Sequence, residues 1–198
     1  MSVPIEDIKK LRAMTGAGMM SAKKALEEAS GDIDKAIEVL RLQGQASAAK
    51  RADREAKNGL IEAYVHVGKI GALVELNCET DFVARTDDFK AFAKDIAMHV
   101  TATDPQYLSP DTVPEEVIEK EKELYLAELE SAGKPDAVKE KIIQGKLDKY
   151  YEAVCLTRQP FVKDPDKTIE QLVLDLSAKV GENVVIRRFK RIELGGAE

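Results

Sequence analysis

Residues 59–83 read GLIEAYVHVGKIGALVELNCETDFV, and at this stretch the apolar period becomes two. Ile61, Ala63, Val65 and Val67 alternate with Glu62, Tyr64 and His66, the pattern of a half-buried strand. Gly68-Lys69-Ile70-Gly71 offers a turn, and Ala72, Val74 and Leu76 begin a returning strand. A hairpin of this kind needs further elements to cover one face, so the flanking sequence decides the fold class.

Downstream, Thr86 or Asp87 is placed to cap a helix that turns Phe89, Phe92, Ile96 and Val100 inward. A loop rich in Pro, Asp, Thr and Ser occupies 101–113. Two charged helices follow at about 114–132 and 136–155, joined by Ala132-Gly133-Lys134-Pro135. Val117, Ile118, Leu124, Tyr125 and Leu129 face Val138, Ile142, Leu147, Tyr150, Tyr151 and Val154, which predicts an αα-hairpin with apolar surface to spare. Thr168 caps a helix carrying Ile169, Leu172, Val173, Leu176 and Val180, and Gly181 ends it. VVIRRFKRI, 184–192, is then a third strand, with Arg187, Arg188, Lys190 and Arg191 partly on an exposed face. The sum is an α+β core, a three-stranded antiparallel sheet with helices and an inserted helical hairpin.

Upstream, residues 5–43 predict three short helices. Ile5, Ile8, Leu11 and Met14 mark the first, Thr15-Gly16-Ala17-Gly18 breaks it, and Ser21 is a candidate cap for the second. Ser30-Gly31-Asp32 separates the second from the third, with Asp32 as N-cap. The following QGQASAAKRADREAKN, 43–58, has no large apolar residue and reads as a solvated helical linker.

Composition narrows function mainly by exclusion. The 198 residues carry 30 Lys and Arg against 36 Asp and Glu, a net charge of −6, so no general affinity for phosphate backbones is expected. Two cysteines provide no disulfide framework and suit a reducing compartment. The N-terminal MSVPIEDIKK lacks the basic and apolar regions of a signal peptide. No apolar run approaches the roughly 18 residues of a membrane span. The expectation is a soluble, cytoplasmic protein with no membrane partner.

Catalytic chemistry is not indicated either. His66 and His99 fall on ordinary element surfaces, and with Cys78 and Cys155 they show neither C-x-x-C nor H-x-x-x-H spacing. Neither G-x-x-x-x-G-K-[ST] nor G-x-G-x-x-G occurs. The reading is no enzyme, no catalytic residues, no metal and no cofactor. The segment that stands out is Thr80-Asp81-Phe82-Val83, an acid beside a large ring between polar residues. Either Phe82 packs into the core while Asp81 caps or turns the chain, or the loop offers a hydrophobic wedge and an acid to another protein.

At these residues a family likeness enters. LRAMTGAGMMSAKKALEEASGDIDKAIEVLR (11–41) and ELNCETDFVAR (75–85) closely resemble the elongation factor Ts family, bacterial nucleotide-exchange factors for elongation factor Tu. QPFVKD (159–164) and GENVVIRRFKRIE (181–193) are similar to it too. One departure is Ser21-Ala22, where the family often has an acid and then Cys. The resemblance implies a UBA-like docking domain over residues 1–45, a linker over 46–58 and an exchange core over 59–198, with the helical hairpin at about 114–155. Met19 and Met20 would contact a surface helix of the partner, unless they fill their own small core. Thr80, Asp81, Phe82 and Val83 would be the exchange element. Asp81 and Phe82 would press on the GTP-binding domain, disturb its Mg²⁺ and phosphate site, and release GDP. The implied partner is elongation factor Tu, both GDP-bound and nucleotide-free, without direct nucleic-acid binding. The length matches a short form with one copy of the core subdomain, which implies a homodimer built partly on the 114–155 hairpin and a 2:2 complex. Two other readings stay open at this level. One is an adaptor whose three-helix unit binds a different helix or a ubiquitin-like partner; the other is an RNA-associated protein using 47–57 and 187–191.

Overall fold

The helices at the start of the chain end where their breaking residues stand. In the computed structural model, which describes residues 3–132 and 135–196, helix α1 (Ile5–Thr15) stops at Gly16. That residue takes a φ of 70° and returns its N–H to Arg12 O. Helix α2 (Met19–Glu28) is followed by Ser30 and Gly31, both at positive φ. Asp32 caps helix α3 (Ile33–Ala49), its carboxylate accepting from Lys35 N at 3.1 Å. Ile8, Leu11, Ala25, Leu26 and Ala36 form a buried cluster shared by the three helices.

Two expectations are corrected here. Ile5 and Met14 are exposed, and only Ile8 and Leu11 of that stripe are buried. A step of three residues falls about 60° short of a full turn, so four such residues spread over half the helix circumference. Ser21 is no cap, because α2 begins at Met19 with Gly18 in the N-cap position.

The hairpin comes next, as strands β1 (Asn58–His66) and β2 (Ile70–Cys78). Its turn is centred on Val67 and Gly68, both at positive φ, with Lys69 N bonding His66 O at 3.0 Å. This is a two-residue hairpin turn of the primed type, two positions earlier than the sequence suggested. Then come α4 (Asp81–Ala84), α5 (Asp87–Thr103), α6 (Glu115–Ser131) and α7 (Asp136–Val154). Strands β3 (Pro160–Phe161) and β4 (Asp164–Thr168), helix α8 (Ile169–Val180) and strand β5 (Val185–Glu193) complete the chain. Gly133 and Lys134 of the expected α6–α7 connection lie outside the described residues. Thr86 and Thr168 serve as caps, accepting from Phe89 N and Gln171 N. The small β3–β4 ladder is a feature the sequence reading did not contain.

The main sheet has the order β1-β2-β5. Leu194 N bonds Lys69 O, and Arg188 pairs with Glu75. Residue numbers rise by six along β2 as they fall by six along β5, so these strands run antiparallel. The architecture is therefore α+β, as expected, with eight α-helices among the described residues.

The chain divides into two compact units, one of residues 1–59, 77–89 and 173–185, the other of 60–76, 90–172 and 186–198. In the first, the stretch read as solvated linker is tied down. Ala48 is buried, Gln45 Nε2 bonds Asp175 Oδ1 at 2.8 Å, and Arg51 Nη2 bonds Ser177 O at 3.0 Å. A side chain at Gly44 would put its Cβ 3.0 Å from Ala178 Cβ, so a glycine permits α3 to approach α8 this closely.

In the second unit, Ala72, Val74 and Leu76 are buried as the alternation predicts, and so are Ile96 and Val100 of α5. Strand β1 behaves otherwise. Ile61 and Val65 are exposed, while Leu60, Glu62 and Tyr64 are half-buried. Both alternating sets carry large side chains, so the period alone does not say which set faces inward. The helical hairpin forms, burying Leu129 and Leu147 but leaving Leu124 and Val138 exposed. Lys146 sits 5.1 Å from the centre of the Tyr125 ring and also pairs with Glu128.

Candidate functional site

A four-residue helix has no stability of its own, because one turn fixes several dihedrals for a single hydrogen bond. The shape of α4 therefore comes from what grips its base. Thr80 is the N-cap, with its hydroxyl 3.5 Å from Val83 N, a long contact. The firmer grip is Glu182. One carboxylate oxygen accepts from Glu79 N at 3.1 Å and Thr80 N at 3.0 Å, and the other accepts from Thr80 Oγ1 at 2.6 Å. Glu79 answers in kind, its carboxylate accepting from Asn183 N at 2.7 Å. Asn183 is itself buried and donates to Ala52 O and Arg54 O at 3.0 and 2.7 Å. Asn58 Nδ2 donates to Glu79 O at 2.7 Å.

Cys78 lies beneath this loop, fully buried, its Sγ donating to Thr80 O at 3.1 Å. Burial pushes its thiol up to about 11, and the nearby Glu182 carboxylate adds to the shift. The group therefore stays a neutral donor at neutral pH.

This base turns the loop's two notable side chains outward. Ala84 is buried, Val83 half-buried, and Phe82 is 79% exposed. The reading in which Phe82 packs into the core does not hold. Asp81 neither caps nor turns the chain; its Oδ2 meets Arg85 Nη2 at 2.7 Å in an exposed pair that contributes little stability. In the same unit, Met19 and Met20 at the start of α2 are exposed, as is Met14 before the Gly16 turn. Neither Met19 nor Met20 fills the small core.

Sequence reasoning missed Glu182, Asn183 and Glu79 as the loop's supports. The available signal was slight: two polar residues between a helix-stopping glycine and an apolar strand. It also misplaced His99, which is fully buried in the second unit. His99 Nδ1 accepts from Val162 N at 3.3 Å, so Nε2 carries the proton and donates to Gln159 Oε1 at 3.0 Å. Burial lowers its pKa, and the Gln159 bond opposes that shift. Arg191, expected among the exposed bases, is mostly covered and pairs with Asp104 and Glu193. Among the described residues, no cluster of three or more His, Cys, Asp or Glu is placed to hold a metal, and no helix is long and apolar enough to cross a membrane.

Phe82 and Asp81 are thus exposed on α4, and Met19 and Met20 on α2. Comparison with known proteins places the chain in a family. The family model described as Elongation factor TS matches residues 1–195. The chain is 56% identical over 189 residues to Elongation factor Ts of Syntrophus aciditrophicus, covering 95% of this chain and 94% of that one. It is 52% identical over 195 residues to Elongation factor Ts of Thermodesulfovibrio yellowstonii, covering 98% of each. A third relative, Elongation factor Ts of Carboxydothermus hydrogenoformans, is 56% identical over 95% of this chain and 87% of its own length. Matched over nearly its whole length and at such identity, the chain belongs to the elongation factor Ts family.

Proposed function

We propose that this chain is a guanine-nucleotide exchange factor that binds elongation factor Tu·GDP and drives GDP out. The observation that carries the reading is Phe82, 79% exposed on a turn whose base is hydrogen-bonded from four directions. A large ring held in water by a firm support has no purpose in the chain's own stability. It fits a wedge that enters another protein.

The mechanism needs no covalent step. The exchange element Thr80–Val83 presses Asp81 and Phe82 against the GTP-binding domain and shifts the elements around its Mg²⁺ and phosphate site. The metal bridges phosphate oxygens to protein, so loosening it loosens the nucleotide. By linkage, the factor weakens GDP binding by the same ratio as GDP weakens binding of the factor, and GTP then displaces the factor. Met19 and Met20 dock the UBA-like domain of residues 1–45, their flexible thioethers adapting to an irregular apolar surface. The setting is the cytoplasm.

Self-association completes the reading. Val65, Leu73, Ile192 and Leu194 are exposed and line one concavity of about 330 Å³ on the outer sheet face. Leu124 and Val138 add apolar surface on the helical hairpin. A second copy of this chain covers these surfaces in a homodimer, giving a 2:2 complex with the partner.

Stopped-flow release of a fluorescent GDP analogue from elongation factor Tu separates the two roles. Phe82→Ala is expected to slow release at saturating factor by about tenfold, the loss typical of a truncated anchor ring, with a smaller change in affinity. Met19→Ala with Met20→Ala is expected to do the reverse, raising the half-saturating concentration and sparing the plateau. Unchanged release with Phe82→Ala would remove the assignment.

A further inference from the structure

We infer that Glu182 is the positioning residue of the exchange element, setting the direction in which Phe82 points. The inference rests on the exchange reading of Thr80–Val83. Phe82 makes no buried packing of its own, and α4 is a single turn, so neither the ring nor the helix fixes that direction. The one group that bonds both backbone N–H groups entering the turn, together with the cap hydroxyl, is the Glu182 carboxylate, at 3.1, 3.0 and 2.6 Å. Its hold is reciprocal, since the Glu79 carboxylate takes Asn183 N at 2.7 Å. Two chain segments about a hundred residues apart thus clasp each other through carboxylate-to-backbone bonds, which are stronger than neutral ones. Gly181, at a φ of 77°, ends α8 and lets the chain turn at the residue before Glu182.

What the clasp requires is reach rather than charge alone. Glu182→Asp keeps the charge and withdraws the oxygens by one methylene, so all three bonds lengthen. Glu182→Gln keeps the reach: its amide oxygen serves the two N–H groups, and the Thr80 hydroxyl rotates to accept from the amide nitrogen. A residue acting only through net charge near the loop would show the opposite order.

The test measures two things on the full chain: GDP-analogue release from elongation factor Tu at saturating factor, and hydrogen exchange of the Glu79 and Thr80 amides in the free protein. Glu182→Asp is expected to lose amide protection and to slow release about tenfold or more, since a misdirected wedge loses its effect steeply with displacement. The half-saturating concentration should change much less, and Glu182→Gln should retain most of the wild-type rate. Phe82→Ala run in parallel keeps the two ideas apart. If Phe82→Ala slows release and Glu182→Asp does not, Glu182 is no positioning residue while the exchange reading stands. If Phe82→Ala leaves release unchanged, the exchange reading falls and this inference with it.

Discussion

Three residues show how side-chain type and surroundings together decide a role. Phe82 would be assigned to the core from its chemistry, yet it stands in water above a base where Glu182 holds the Glu79 and Thr80 N–H groups and the Glu79 carboxylate takes Asn183 N. Cys78, directly below, is raised to about 11 chiefly by burial, so it supports the loop as a hydrogen-bond donor and is no nucleophile at neutral pH. His99 is shifted toward its neutral form for the same reason, buried with both ring nitrogens engaged. Its pKa is lowered in the fold, so on acidification below about 6.5 the unfolded chain takes up a proton that the folded chain refuses. Stability from this group is complete above that pH and is lost as pH falls. The expected result is a lower denaturant midpoint at pH 5.5 than at pH 7.5, with the His99 imidazole titrating by NMR below the ordinary histidine midpoint. A His99 ring that titrates with an ordinary midpoint would contradict the assignment.

At the scale of elements, much was legible. The alternation in β2, the caps at Asp32 and Thr168, the stop at Gly181 and the α6–α7 helix pair all follow from local rules, while Leu124 and Val138 of the expected stripes stay exposed. What the sequence did not show is what local rules cannot contain. The inward face of β1 depends on the packing of elements distant in the chain, and the supports of α4 come from residues about a hundred positions away. The hairpin turn was misplaced because Val67 is a poor residue for it. Val67 adopts a φ of 49°, a region that β-branched side chains rarely enter. Turns of this type favour Asn-Gly, and Val67 is exposed, so Val67→Asn should stabilise the protein by about 1 kcal/mol. Urea denaturation of the two proteins would check this; a destabilised variant would count against the turn.

At the scale of the whole molecule, a net charge of −6 and an exposed apolar sheet face point the same way, toward protein partners and away from phosphate backbones. Family membership says nothing by itself about self-association, which solution mass tests separately. Light scattering at micromolar concentration should give twice the mass of one chain. Ile192→Asp, which places a charge on the outer sheet face, should lower it toward one; a wild-type monomer would remove the homodimer. Exchange itself is read out by GDP release from purified elongation factor Tu. This chain is expected to accelerate release, and Asp81→Ala combined with Phe82→Ala to abolish most of the acceleration. Release equally fast with the double variant, or no faster with the wild-type chain than without it, would overturn the exchange role.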